Sequence, residues 1–169
     1  GYNNEFTELV ILYKNKKLPS KIFLTGPKGI GKATMAYHLI NYIFSSKEEY
    51  QYDLSNLEIN NLNKSYKLLL NNTHPNFHLV DIMKDKKVIE ISQIRQMINY
   101  STKSTFNNNE RIILIDNVEN LNLNSLNSLL KIVEEPNENT FFILVFDSNK
   151  NILNTLKSRC LKFNLYLSF

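Results

Sequence analysis

The run Gly26-Pro27-Lys28-Gly29-Ile30-Gly31-Lys32-Ala33-Thr34 constrains this chain more than any other stretch. It matches G-x-x-x-x-G-K followed by a small residue, and its flanks suit that motif. Before it lies the apolar run Ile22-Phe23-Leu24, a short buried strand. After it, Met35, Ala36, Leu39, Ile40 and Ile43 recur at helical spacing. Glycines let the backbone curl so that several N–H groups face inward as an anion nest. The helix beginning at Lys32 turns its positive end to the same place. Residues 26–34 are therefore candidate nucleotide-phosphate ligands, with Lys32 reaching for the β- and γ-phosphates.

The rest of the chain repeats the alternation. Phe6, Leu9, Val10 and Tyr13 mark an opening helix, and Pro19 ends the segment before the first strand. Strands are expected over 77–80, 111–116, 141–146 and 161–165. Helices are expected over 90–103 and 124–135, where Pro136 stops the second, and over 152–157. Residues 46–73, polar and Asn-rich, are expected to hold one helix over 57–70. Strands alternating with helices imply an α/β fold with a parallel sheet and helices on both faces. Uninterrupted apolar strands suit a sheet buried on both sides.

Composition sets outer limits. The chain has 169 residues, 43% of them hydrophobic, which suits one domain with one well-buried core. A single cysteine excludes an intramolecular disulfide framework and any zinc site of several thiolates. His38, His74 and His78 form no ligand or catalytic set, so no metal site is expected. No apolar run nears the roughly 18–20 residues of a membrane span. Gly1-Tyr2-Asn3-Asn4-Glu5 has neither the basic start nor the apolar stretch of a signal peptide. A soluble cytoplasmic domain is expected, with no membrane partner. A net charge of +4 is too small to mark a nucleic-acid binder.

Three positions depart from a working nucleotide hydrolase. Ala33 stands where Ser or Thr normally offers a hydroxyl to Mg²⁺, and Thr34 comes one residue late, about 100° around the helix. Asp116 closes an apolar strand in the manner of a Walker B aspartate, but Asn117 follows it where a general base belongs. An amide cannot take a proton as a base. Asp147, after the strand over 141–146, puts a carboxylate where a polar side chain would sense the γ-phosphate. Phosphate binding can survive these changes. Hydrolysis is expected to be weak or absent.

Two further motifs are more specific. Asn127-Ser128-Leu129-Leu130-Lys131-Ile132-Val133-Glu134-Glu135-Pro136 resembles the Asn-x-Leu-Leu-Lys-x-x-Glu-Glu-Pro helix of clamp-loader AAA+ subunits. Ser158-Arg159-Cys160 resembles their Ser-Arg-Cys motif, and His74-Pro75-Asn76 a His-Pro-Asp/Asn element of the bacterial members. Order and spacing fit over 18–163. Within that family the degenerate site is most similar to the delta-prime class of bacterial DNA polymerase III.

The resemblance implies a P-loop AAA+ domain with a five-stranded parallel sheet in the order 5-1-4-3-2. It implies work in ATP-driven loading of the sliding clamp during DNA replication, as a component of the polymerase III holoenzyme. Arg159 would be an arginine finger acting in trans on a neighbour's ATP, with Asp116 a degenerate Walker B residue. ATP or ADP with Mg would be the ligand of the P-loop, and zinc would be absent. Partners would be the gamma/tau and delta subunits, with the clamp and primer-template DNA reached through the complex. Glu134 and Glu135, at a helix end where negative charge is mildly unfavourable, would serve an interface or a packing contact.

Many bacterial relatives carry a four-cysteine zinc module where this chain has 46–73, so a metal-free helical insert is expected there. The family's lid and collar domains would follow Phe169, which makes 1–169 a single AAA+ domain. The competing reading is a motor-type clamp-loader ATPase or other P-loop NTPase using Lys32, Asp116 and Glu119. A stand-alone DNA binder lacks the basic stripe and stacked aromatics it would need.

Overall fold

The computed structural model describes residues 1–151 and 154–166. Five parallel strands form one sheet: β1 (Lys21–Gly26), β2 (Phe77–Val80), β3 (Arg111–Ile115), β4 (Thr140–Asp147) and β5 (Leu161–Asn164). Their spatial order is β2-β3-β4-β1-β5, which is the expected order read from its other edge. The helices are α1 (Asn3–Lys14), α2 (Lys32–Ser45), α3 (Lys64–Leu70), α4 (Ile91–Thr102), α5 (Leu123–Glu134) and α6 (Asn154–Lys157). The start expected for α6, at 152, lies outside the described residues.

Side-chain alternation sorts the core into two layers. Ile22 and Leu24 of β1, Ile112 and Leu114 of β3, and Ile143 and Val145 of β4 face α1 and α2. Phe23, Ile113, Ile115, Phe142, Leu144 and Phe146 face the other way, toward Ile94 and Met97 of α4 and Leu129 and Val133 of α5. The strands read as continuous apolar runs because both faces are covered.

Polar residues fix the joints. Asn122 accepts a hydrogen bond from the Ser125 N–H at the start of α5, and Gln93 accepts one from the Glu90 N–H at the start of α4. Arg111, only 2% exposed, closes the far end of α4. Its guanidinium donates to the carbonyls of Ser101 (2.8 Å), Lys103 (2.6 Å) and Ser104 (3.1 Å) and lies over the Tyr100 ring.

The insert differs from expectation. Helix α3 begins at Lys64, not near residue 57. Asp53 and Glu58 pair across a turn in which the Asp53 carboxylate accepts from the Ser55 and Asn56 N–H groups. Leu57 has φ 55°, which no helix permits. Asn63 then caps α3 through the Tyr66 N–H, while its amide exchanges two hydrogen bonds with the buried Asn41 of α2. Glu48 accepts from Lys64 N and Ser65 N. This corner is held by amides and a carboxylate.

Candidate nucleotide site and the arginine edge

The P-loop lies between the C-terminal end of β1 and the start of α2. Gly29 (φ 83°) and Gly31 (φ 90°) adopt left-handed backbone that the curl requires. Gly26 is demanded by space: a Cβ there would meet the Leu165 carbonyl oxygen at 2.5 Å and Ile30 Cδ1 at 2.6 Å. Lys32 is buried, and its Nζ donates to the carbonyls of Gly26 (2.8 Å) and Pro27 (2.6 Å). Its ammonium is therefore folded onto the loop that a phosphate would fill.

Two cavities flank the loop. One, of about 260 Å³, is lined by P-loop residues 28–34, Ile30 excepted, together with Asp116, Asn117, Glu119 and Asp147. The other, of about 340 Å³ and mainly apolar, lies between Tyr2, Phe6, Ile30, Met35, His38 and Tyr52. Thr34 lines both, although its hydroxyl sits one residue past the metal-binding position. Sequence reasoning missed the apolar cavity, because its walls come from α1, the loop and the insert. Tyr2 ties these walls together by donating to the Ile30 carbonyl at 2.7 Å.

Carboxylates crowd the polar cavity. Burial pushes the Asp116 carboxyl above its ordinary range, against the pull of the Asn117 N–H that it accepts at 2.8 Å; Asp81 and Glu119 push it further up. Burial lowers the Lys32 ammonium, opposed by Asp147, Glu119 and Asp116. Asn117 takes a left-handed conformation (φ 54°) and donates from its side-chain amide to Asp81 Oδ1 at 2.7 Å. The position after the strand is thus occupied by a structural tie. Glu119 accepts from the Asp147 N–H at 3.2 Å, which links the two acidic positions.

These residues fit a phosphate-bearing ligand in the loop, with α2's positive end, the glycine backbone and Lys32 as its holders. They fit a metal less well. Ala33 offers no oxygen, and among the described residues no group of three or more His, Cys, Asp or Glu side chains could hold an ion. A bound nucleotide would supply the triphosphate on which hydrolysis acts. The chain's own residues here would bind and orient it, and Asp147 would oppose its charge.

Arg159 stands elsewhere. Ile22 pairs with Leu161, so Arg159 precedes β5 at the N-terminal edge of the sheet, whereas the P-loop leaves its C-terminal edge. Four residues of β1 separate the two levels, roughly 13 Å along the strand. The structure therefore brings Asp116 to the P-loop and keeps Arg159 away from it. Arg159 Nη2 pairs with Glu134 Oε1 at 2.6 Å, and Nη1 donates to the Thr155 carbonyl at 2.6 Å. The two motifs singled out in sequence, Glu-Glu-Pro and Ser-Arg-Cys, meet in this ion pair. Neighbouring Cys160 is half-buried, and burial pushes its thiol up to about 11.

His38 lines the apolar cavity beside the P-loop, and the three histidines make separate contacts. His38 Nδ1 meets the Tyr52 hydroxyl at 2.7 Å, His78 stacks on Tyr100, and His74 stacks on Phe44 while its Nδ1 accepts from Asn76 N–H.

Comparison with known proteins joins the two motif sets to one lineage. Residues 2–167 match the family model described as "DNA polymerase III, delta subunit". The chain is 27% identical over 139 residues to DNA polymerase III subunit delta' of Pseudomonas aeruginosa, covering 82% of this chain and 40% of that protein. It is 28% identical over 170 residues to the delta' subunit of Buchnera aphidicola subsp. Baizongia pistaciae, covering 96% and 48%. It thus spans less than half the length of these curated relatives. Among solved structures, a DNA polymerase III gamma subunit-related protein from Thermotoga maritima shares the fold with a TM-score of 0.60 at 17% identity, covering 95% of this chain and 46% of that one. The Thermotoga maritima RuvB Holliday junction branch migration motor does so at 0.53 and 16%, covering 98% and 45%. Motifs, sheet order and the match across 2–167 agree: the chain belongs to the DNA polymerase III delta-subunit family, among relatives that carry the delta-prime name.

Proposed function

We propose that this domain serves in a polymerase III clamp loader as a delta-prime-type subunit that does not turn over ATP itself. It presents Arg159 to the ATP held by a neighbouring motor subunit. The observation that carries this is the position of Arg159 at the sheet edge remote from its own P-loop. An arginine so placed can reach a phosphate only across a subunit boundary. A guanidinium brought beside a γ-phosphate offsets the charge that develops there, worth about 10³–10⁵ in rate. The P-loop keeps the means to hold ATP or ADP as a structural ligand, while Asn117, tied to Asp81, stands where a base would follow the strand aspartate. In this reading the working partners are the gamma/tau and delta subunits, with clamp and primer-template DNA engaged by the whole loader in the cytoplasm.

The motor-type reading draws support from a 40% identity over 87 residues to the gamma subunit of Buchnera aphidicola subsp. Schizaphis graminum, which covers 51% of this chain and 23% of that protein. Measuring ATP turnover by the purified chain with Mg²⁺ separates the two. The proposal expects no turnover above a Lys32→Ala control. Turnover that Lys32→Ala abolishes would establish the motor reading. Protection against thermal unfolding by ADP, lost in Lys32→Ala, tests ligand holding separately.

A further inference from the structure

An arginine side chain has many rotamers, so one that must meet a phosphate across a boundary profits from being held in advance. Arg159 is held through its two terminal nitrogens. The guanidinium offers five N–H donors, and among the described residues two acceptors engage it, Glu134 Oε1 at Nη2 and the Thr155 carbonyl at Nη1. Its side chain keeps 33% exposure, so the ion pair does not bury it. The two anchors are themselves fixed. Glu134 ends α5, whose Leu126, Leu129 and Val133 are packed on the sheet. Thr155 lies in α6 next to Leu156, which is fully buried, and its carbonyl also accepts from Ser158 Oγ at 3.1 Å. The only other charged group touching this pair among the described contacts is Lys21, whose Nζ reaches the Glu134 carbonyl at 3.5 Å.

The Glu134 carboxylate lies at the C-terminal end of α5, where the helix dipole disfavours it. An exposed ion pair adds little to stability. Neither consideration gives the fold a reason for a glutamate at this position. We propose that Glu134 is a positioning residue: it holds the Arg159 guanidinium at Nη2, fixing the rotamer in which its remaining N–H donors meet the neighbour's phosphate. The inference rests on the reading of Arg159 as a trans-acting group.

The test uses the full-length chain assembled with its loader partners and reads ATP hydrolysis by the neighbouring motor subunit across ATP concentrations. Glu134→Ala is expected to lower kcat about five-fold, the scale on which an exposed pair favours one rotamer, with KM unchanged. Glu134→Gln, whose amide oxygen still accepts from Nη2, is expected to recover most of that loss. Glu134→Lys, which repels the guanidinium, is expected to fall below Glu134→Ala. In an Arg159→Ala background none of the three should cost more, because the effect acts through one side chain. If Arg159→Ala lowers kcat while the Glu134 variants leave it unchanged, or raise it as release of a latch would, the positioning role is overturned. If Arg159→Ala itself changes nothing, the trans-acting reading fails first. Should Glu134→Ala not assemble, the ordering of Gln above Lys decides the matter.

Discussion

At the scale of single residues, the proposed functional side chains and the main structural ones were not equally visible in sequence. The P-loop glycines, Lys32, Asp116 and Arg159 were legible because each belongs to a spaced motif. Arg111 was not: in sequence it is merely the first letter of an apolar strand, yet its charge is buried against the carbonyls that end α4. Arg111→Met should leave those carbonyls without donors and destabilise the domain by about 3 kcal/mol in urea unfolding. Gly26→Ala should cost about 1–3 kcal/mol in urea unfolding and push the turn and the Leu165 carbonyl apart, because the clash is with backbone. His74 supplies a pH signature. Burial lowers it from 6.5 to about 4, and burial lowers His38 and His78 as well. Below 6.5 the His74 ring takes a proton in the unfolded chain but not in the folded one until pH nears 4, so stability should fall as pH drops from 6.5 toward 4. His74→Asn, which keeps an acceptor near Nδ1, should flatten that part of a thermal-melting profile. An unchanged slope would show that His74 does not set it.

At the scale of elements, hydrophobic period was a good guide where elements are long and buried. The expected ranges for β2 to β4, α4 and α5 agree with the structure to within a residue, and β1 runs two residues past its apolar stretch, since strand alternation and helical spacing both report burial. The insert defeated the same reasoning. Leucines at 57, 62 and 68–70 imitate a helical stripe, but Asx turns at Asp53 and Asn60 and the cap at Asn63 interrupt it. Local side-chain bonds to backbone compete with the helix there. The signal that could have found the α3 boundary is Asn63 itself, an N-cap residue before Lys64-Ser65-Tyr66. Asn41→Ala should leave the buried Asn63 amide half-satisfied and cost about 1–3 kcal/mol. Hydrogen exchange should show α3 loosening before the sheet does. Equal loss across both would mean that the insert folds as one unit with the core.

At the scale of the whole molecule, a parallel sheet has a polarity, and this one sends the two candidate motifs to opposite ends of its strands. The P-loop, the apolar cavity and the carboxylates gather where the strands end. The Glu134–Arg159 pair gathers where they begin. Under the proposed function, the end of one chain that carries Arg159 meets the nucleotide of its neighbour. That separation was invisible in the linear order of motifs and follows from the β1–β5 register. The most direct measurement is steady-state ATP hydrolysis by a loader reconstituted with the full-length chain carrying either Arg159→Ala or Lys32→Ala. The account predicts that Arg159→Ala lowers turnover by at least about ten-fold while Lys32→Ala leaves it close to that of the unaltered loader. Loss of turnover with Lys32→Ala and none with Arg159→Ala would contradict it.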